Sequence, residues 1–182
     1  MQHKSFGKMP CPIARSLERV GEWWSILIIR DALHGFTRFD EFQKSLNIAP
    51  NMLTRRLSAL VTAGVLERRR YSQRPPRYEY VLTEKGRDFR PVLIAMAAWG
   101  NRHFSPEGAS VVLVDKKTRR MVDPMLVDRM SGRPLDEHDF TFAAGPAASE
   151  RTRRRYAMVD QKKAAAAEPS SKPARGRRRR TS

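Results

Sequence analysis

The residues with the clearest chemical potential are four polar side chains that recur at helical spacing: Asn51, Arg55, Ser58 and Thr62. At 100° per residue they lie on one side of a helix whose opposite side is apolar. In a DNA major groove, an Arg guanidinium can bridge O6 and N7 of guanine, and an Asn amide can pair with adenine. The spacing therefore predicts a base-reading helix in which Arg55 and Asn51 carry specificity. Its apolar side consists of Leu53, Leu57, Leu60 and Val61.

Residues beside that polar face have the chemistry to contact the DNA backbone. Thr54 and Arg56 lie on its two flanks, where a hydroxyl and a guanidinium reach phosphates more readily than bases. Arg38, at the start of the preceding predicted helix, and Met52, in the first turn of the base-reading helix, complete the predicted DNA-contacting set on this side of the domain. The alternative is that a polar helix face with two arginines is simply hydrated, as most such faces are.

A second basic element follows in the chain, in the predicted loop Ser72–Arg77. Arg74 and Arg77 flank two prolines that hold the loop extended, so less conformational entropy is lost when the arginines meet phosphate or a minor groove. Beside a base-reading helix, such a loop is typical of the wing of a winged helix-turn-helix. The alternative is an ordinary hairpin tip.

The elements that must position these residues are mainly helical. Two predicted helices joined by a short turn form a helix-turn-helix. Thr37 is the predicted cap of the first, Pro50 opens the second, and Gly64 stops it. The turn is Asn47–Ala49, and the four predicted helices are Ile13–Val20, Trp23–Leu33, Arg38–Ser45 and Pro50–Ala63.

Two strands and a long last helix are predicted next. Alternation favours antiparallel strands over Val65–Tyr71 and Tyr78–Leu82, which form the wing. Thr83 is the predicted cap of one long helix, whose apolar stripe is broader than a small domain needs. The fold class is therefore mainly α with a small β-wing, a winged helix-turn-helix that forms a homodimer through its N-terminal and last long helices. The stripe is Phe89, Val92, Leu93, Met96, Ala97 and Trp99.

Four segments are predicted along the chain. A flexible N-terminus (1–10) precedes the winged helix-turn-helix domain (11–105), and an extension (106–160) precedes a disordered basic tail (161–182). No internal repeat is predicted anywhere in the chain. The candidate hairpin strands of the extension are Val111–Val114 and Met121–Val122, with another turn at Ser131–Pro134.

The basic charge of the chain is divided between the domain and the tail. The formal net charge is +17 and the isoelectric point is near 11.1, which favours polyanionic partners. Residues 1–105 hold 18 Lys and Arg against 9 Asp and Glu, and residues 161–182 hold 8 against 1. Within the tail, Lys172–Arg177 and the arginines after it resemble part of an AT-hook. The favoured interpretation is a plain polybasic tail that raises non-specific affinity.

Several classes of function are excluded or left without support by the sequence. No apolar run is long enough for a membrane span and no signal region is present, so a cytoplasmic, nucleoid-associated protein is expected. Cys11 is the only cysteine, which rules out an internal disulfide, and no Cys/His cluster predicts a metal or another cofactor. The four histidines are scattered and no nucleophile or phosphate-loop motif predicts an enzyme.

The chain resembles the HxlR-type regulators, relatives of the MarR group. The resemblance covers residues 11–104 and implies a dimeric protein that binds double-stranded DNA and usually represses transcription. This chain departs from the family pattern at Glu22-Trp23-Trp24 and at Ala49, where a Ser often caps the recognition helix. The motifs that carry the resemblance, in chain order, are Cys11-Pro12, Arg38–Phe42, Leu53–Leu57, Gly64–Leu66, Tyr78–Gly86 and Trp99.

The resemblance also implies a switch. A cysteine at the position of Cys11 senses oxidants or electrophiles in several HxlR-type proteins, and a helix dipole with Lys8 and Arg15 nearby would favour its thiolate. The alternative is that Cys11 is a small buried hydrophobe beside the dimer contact.

The alternative function for the whole chain is a DNA-compacting or RNA-associated basic protein. Such a protein hardly reads sequence.

Overall fold

The computed structural model describes Met9 and residues 11–167, and this part of the chain divides into two compact units, with the boundary in the sequence after Asp139. The first unit is mainly helical with one two-stranded antiparallel sheet. Its elements are α1 (Pro12–Val20), α2 (Trp23–Leu33), α3 (Phe39–Leu46), α4 (Pro50–Thr62), β1 (Leu66–Gln73), β2 (Pro76–Leu82), α5 (Glu84–Arg87) and α6 (Arg90–Phe104).

The core of the first unit collects apolar side chains from α1 to α4 and from the base of the sheet. The predicted apolar side of α4 is confirmed, because Leu53, Leu57 and Leu60 are fully buried and Val61 packs against them. Burial of one face fixes the rotation of α4 and leaves its other face outside. The buried apolar residues are Val20, Ile28, Ile29, Phe42, Ile48, Leu53, Leu57, Leu60, Val65, Leu66 and Leu82.

The turn between α3 and α4 was predicted correctly. Asn47 adopts a left-handed conformation (φ +48°) that ends α3, and Pro50 begins α4. The prediction that Thr37 caps α3 is wrong, because Arg38 is the N-cap residue. The Glu41 carboxylate instead accepts hydrogen bonds from the backbone N–H groups of Thr37 (2.8 Å) and Arg38 (2.9 Å). Arg38 also forms an isolated bridge with Glu79, which links the start of α3 to the sheet.

The wing is longer than predicted and its loop is shorter. β1 and β2 pair through the predicted loop, with Ser72 opposite Arg77, so that only Arg74 and Pro75 remain in the turn, joined by a cis peptide bond. Pro76 is compatible with this extension because the first residue of a strand tolerates proline.

The single long helix predicted after Thr83 is interrupted. Thr83 does cap α5, since its hydroxyl accepts the N–H of Gly86 at 3.1 Å. However, the helix is interrupted at Asp88 and Phe89, which form a turn with helical backbone dihedrals, and the chain continues as α6. Pro91 explains the break, because it has no N–H to donate to the carbonyl of Arg87 and its ring clashes there.

Residues 113–135 contain a tandem repeat that the sequence analysis missed. Asp115 and Asp128 each begin a tight hairpin turn, closed by hydrogen bonds from Arg119 N to Asp115 O (3.0 Å) and from Gly132 N to Asp128 O (2.7 Å). The carboxylate of each Asp accepts backbone N–H groups two and three residues on, which is the Asx geometry that favours Asp in turns. The segments Leu113–Arg120 and Leu126–Arg133 therefore have the same backbone plan.

The second unit contains α7 (Glu150–Ala167), which no periodicity had indicated. Thr152, Tyr156 and Val159 are half-buried along one side of it. α7 extends over residues 161–167, the start of the segment for which a disordered tail was predicted, and Lys and Ala have high helix propensity there. The remainder of the predicted tail, with its AT-hook-like segment, and most of the predicted flexible N-terminus lie outside the described residues.

Candidate nucleic-acid interface

The outward face of α4 presents the predicted base-reading residues. Asn51, Thr54, Arg55 and Ser58 are exposed, and the helix contains no acidic residue. Ala49 offers no side-chain cap, Pro50 has no N–H, and the N–H of Met52 is donated to Asn51 Oδ1, so in the first turn of α4 the N–H of Asn51 is left for an outside acceptor such as phosphate. The face therefore combines hydrogen-bond donors with net positive charge.

Arg55 differs from the arginines around it. Among Met9 and residues 11–167, its guanidinium has no hydrogen-bond or ion-pair partner. Asn51 uses Oδ1 to accept the N–H of Met52 at 2.7 Å, which leaves its amide NH2 group as a donor. Thr54 donates its hydroxyl to the carbonyl of Pro50 at 2.8 Å. Arg55 is thus the long side chain on this face that the fold does not engage.

Two residues of the predicted DNA-contacting set are held by the protein itself. Arg56 forms an ion pair with Glu22 (2.8 Å), and only 18% of its side chain is exposed. Its Nε atom is buried without a hydrogen-bond partner. Met52 is half-buried and packs against the core. Both side chains therefore contribute to the packing of α4.

The wing carries arginines of two kinds. Arg74 and Arg77 are exposed, and neither has an intramolecular partner in the part of the chain that the structure describes. The three arginines in the middle of β1 all have partners within the protein. Arg68 stacks 3.6 Å from the centroid of the Tyr78 ring, Arg69 pairs with Glu67 at 2.9 Å, and Arg70 donates to the carbonyls of Ser72 and Gln73 at 3.1 and 2.9 Å.

Arg38 lies between the helix-turn-helix and the wing. Its guanidinium is 5.0 Å from the centroid of the Tyr71 ring and remains exposed. A cation above a ring is oriented by it but keeps its N–H donors at the edge. Tyr71, Tyr78 and Glu22 position arginines, a role that was not predicted for them from the sequence. Tyr71 and Tyr78 each directly follow an arginine in the strands, and this was the signal that could have identified them.

Hydrogen bonds fix the wing to the end of α4. Lys85 Nζ donates to the carbonyl of Ala63 at 2.7 Å, and the Thr83 hydroxyl donates to the carbonyl of Gly64 at 2.7 Å. Gly86 allows the close approach, because a Cβ there would lie 2.3 Å from the carbonyl oxygen of Val65. The end of α4 and the end of the wing are therefore bonded to each other, and each of these two elements presents exposed arginines.

The arrangement, a helix-turn-helix followed by a two-stranded wing, has counterparts among known proteins. Residues 19–108 match the family model described as an HxlR-like helix-turn-helix. The chain belongs to the HxlR family. An uncharacterised HTH-type transcriptional regulator of Mycobacterium tuberculosis is 36% identical to it over 135 residues, which cover 74% of this chain and 85% of the relative.

Solved structures show the same fold. A structure described as a proposed transcription factor of Pseudomonas aeruginosa is 63% identical, with a TM-score of 0.60, and the match covers 80% of this HxlR-type chain and 99% of that chain. Another proposed transcription factor is 38% identical, with a TM-score of 0.70 and coverage of 78% and 100%. The predicted winged helix-turn-helix is confirmed, and the chain is a transcription regulator with a helix-turn-helix DNA-binding fold.

The structure also shows where the predicted sensor cysteine lies. Cys11 is half-buried at the N-cap position of α1, and its carbonyl accepts the N–H of Arg15 at 3.0 Å. Within the described residues, no group of three or more His, Cys, Asp or Glu side chains could hold a metal ion, and no helix is long and apolar enough to cross a membrane.

Proposed function

We propose that this HxlR-type regulator binds a palindromic DNA operator as a homodimer and represses transcription from it. In each protomer α4 enters the major groove, where Arg55 and Asn51 read base edges. Ser58 and Thr54 contact the DNA beside these bases. The observation that carries the proposal is the contrast among the arginines. Arg55 on α4 and Arg74 and Arg77 on the wing lack partners within the described chain, whereas their neighbours have them.

The contrast matters because an arginine without an intramolecular partner does not have to break an existing bond to contact DNA. Arg55 can make a bidentate contact with guanine, which is worth about 1–3 kcal/mol of discrimination. Arg74 and Arg77 contact phosphate or the adjacent minor groove, and so fix the position of the domain. Arg38 contributes a phosphate contact from the start of α3, the helix that crosses the backbone in this motif.

Exposed apolar side chains support the homodimer. Ile13 and Leu17 on α1 are 63% and 52% exposed, and Trp99 and Phe104 on α6 are 58% and 66% exposed. No residue of α6 is fully buried, which is unusual for a helix of this composition in a complete core. A second copy that packs on α1 and α6 would cover these side chains and place two copies of α4 across a twofold axis.

Footprinting tests the proposal directly. A dimeric regulator should protect a palindromic site whose half-sites are about 10 bp apart, or a multiple of that spacing. Arg55→Ala should reduce the ratio of operator affinity to random-duplex affinity by roughly 5- to 150-fold. Arg69→Ala is the matched control, because it removes the same charge from a side chain paired with Glu67. Equal loss in both variants contradicts base reading by Arg55.

The same experiment separates the second candidate function, a DNA-compacting or RNA-associated basic protein. The net charge of +17 favours that candidate. Such a protein protects all sequences alike, and its affinity depends on salt but not on the operator. A regulator that binds chromosomal operators would be cytoplasmic and associated with the nucleoid. Response to an oxidant or electrophile through Cys11 stays a prediction.

A further inference from the structure

An open cavity of about 340 Å³ lies between α1 and the base of the wing in the first unit. Its volume is within the range of small-molecule sites. The apolar part of its wall comes from three side chains, Val20, Val65 and Phe89, and Ser16 adds a hydroxyl. Three cationic side chains complete the lining, and they are Arg15, Arg19 and Lys85.

The charges of these three cations are not balanced inside the cavity. No carboxylate belongs to its lining. Arg15 Nε donates to the carbonyl of Met9 at 2.8 Å, and Lys85 Nζ donates to the carbonyl of Ala63 at 2.7 Å, both neutral acceptors. Arg19 has no partner among Met9 and residues 11–167. Three positive charges around one apolar wall attract an anion that has an apolar body.

We propose that this cavity is a binding site for a small aromatic carboxylate. The ring packs on Phe89, Val20 and Val65, and the carboxylate accepts hydrogen bonds from Arg19 and Arg15. Guanidinium groups bind carboxylates through paired, charge-assisted hydrogen bonds, which are stronger than those between neutral groups. An uncharged analogue of the same shape keeps the apolar contacts and loses these bonds.

Lys85 connects the cavity to the DNA-binding surface. Ala63, whose carbonyl accepts from Lys85 Nζ, is the C-cap residue of α4, and Val65 lies between α4 and β1. The negative charge of a carboxylate held by Arg19 and Arg15 attracts the Lys85 ammonium group away from the Ala63 carbonyl, and this changes how the end of α4 is held against the wing. The ligand therefore alters DNA affinity. This second step rests on the proposed function, whereas ligand binding itself does not.

Calorimetry on the full chain tests the site, with 2-naphthoate as the probe and 2-naphthamide as its uncharged counterpart. We expect saturable binding of 2-naphthoate that is at least tenfold tighter than that of 2-naphthamide. Arg19→Gln should weaken naphthoate binding about tenfold or more, as expected for a lost hydrogen bond between charged groups. Arg102→Gln, which removes an exposed arginine of α6 outside the cavity, should leave it unchanged.

Each possible result decides a part of the proposal. Absence of saturable naphthoate binding, equal affinity for the two probes, or an unchanged affinity in Arg19→Gln would overturn the site. Circular dichroism and the melting temperature of each variant identify any loss of folding.

Operator affinity with and without 2-naphthoate tests the coupling. The parent should show a several-fold change and Lys85→Met none. Naphthoate binding without any change in DNA affinity would support the site and overturn the coupling. If the chain proves not to bind DNA sequence-specifically, the calorimetric result stands independently.

Discussion

Glu22 and Arg56 form an ion pair of 2.8 Å that joins the residue before α2 to the middle of α4. The pair is asymmetric, because Glu22 is 42% exposed and Arg56 only 18%. The buried Nε of Arg56 has no acceptor, so Glu22 is the group that compensates the charge. The pair therefore orients α4 against α2, and the guanidinium of Arg56 is directed to the protein.

This relationship predicts that Arg56 affects stability more than DNA affinity. Glu22→Gln should lower the free energy of unfolding by about 1 kcal/mol, because the partly exposed pair is lost and the guanidinium stays half-buried. Arg56→Met keeps the apolar stem and removes the charge, so it should cost less. Urea unfolding measures both. If Arg56→Met also lowers the salt dependence of DNA binding by about one phosphate contact, Arg56 contacts phosphate after all.

For the exposed arginines of the wing we predict an effect on the salt dependence of DNA binding. Arg74→Ala and Arg77→Ala should each weaken binding to operator and random duplex alike, and each should reduce the slope of log K against log salt by about 1. Fluorescence anisotropy at several salt concentrations measures the slope. Arg70→Ala is the control, because its guanidinium is engaged by the carbonyls of Ser72 and Gln73. Equal slopes in all four proteins would exclude phosphate contacts by the wing.

Periodicity predicted most of the first unit, and local chemistry explains where it failed. Leu53, Leu57 and Leu60 repeat at helical spacing, so both the helix and its buried side could be predicted. The break before α6 could also have been predicted, because Pro91 is visible in the sequence. In α7 helix propensity, not an apolar stripe, is the signal, so a search for amphipathic periodicity misses it.

The candidate site could be predicted only in part. The sequence shows that Arg55 and Arg56 are neighbours on α4, but not that one of them meets Glu22, which lies far away in the chain. In the same way, alternation places Arg68 and Arg70 in a strand without showing that they fold back onto Tyr78 and the wing backbone. Which arginines stay unpaired depends on tertiary contacts, and these decide the proposed roles.

The Glu41 cap predicts a pH-dependent contribution to stability. Hydrogen bonds from the backbone N–H groups of Arg38 and Thr37 lower the pKa of the Glu41 carboxyl from its ordinary value of 4.5. Since the folded pKa is the lower one, the contribution is complete at neutral pH and is lost as the pH falls through the folded value. Glu41→Gln should cost about 1 kcal/mol at pH 7.

Denaturant unfolding at several pH values measures the difference between the parent and Glu41→Gln. We expect this difference to shrink below pH 4.5. Asp40→Asn, which changes an exposed carboxylate in the same turn of α3, controls for the general effect of charge. A difference that is constant from pH 7 to pH 3 would show that the cap does not depend on ionisation.

We predict that oxidants weaken DNA binding through Cys11. It is the only cysteine and is half-buried at the start of α1, whose exposed Ile13 and Leu17 belong to the proposed dimer contact. An adduct or an intersubunit disulfide there should disturb that contact and release DNA. Diamide should therefore weaken operator binding by the parent and leave Cys11→Ser unaffected. Release of both proteins to the same extent removes the sensor hypothesis.

We predict that a charged residue on the exposed apolar surface of α1 or α6 prevents dimerisation. Leu17→Asp and Trp99→Asp each place a carboxylate among side chains that we expect a second copy to bury, where an unpaired charge is strongly unfavourable. Both variants should sediment as monomers at micromolar concentration while keeping the parent's circular dichroism, and their operator affinity should fall by more than tenfold because each half-site is then bound separately. Met130→Asp, at a hairpin position that is 92% exposed, should remain dimeric. Should Leu17→Asp and Trp99→Asp sediment as the parent does, the dimer would have to use another surface.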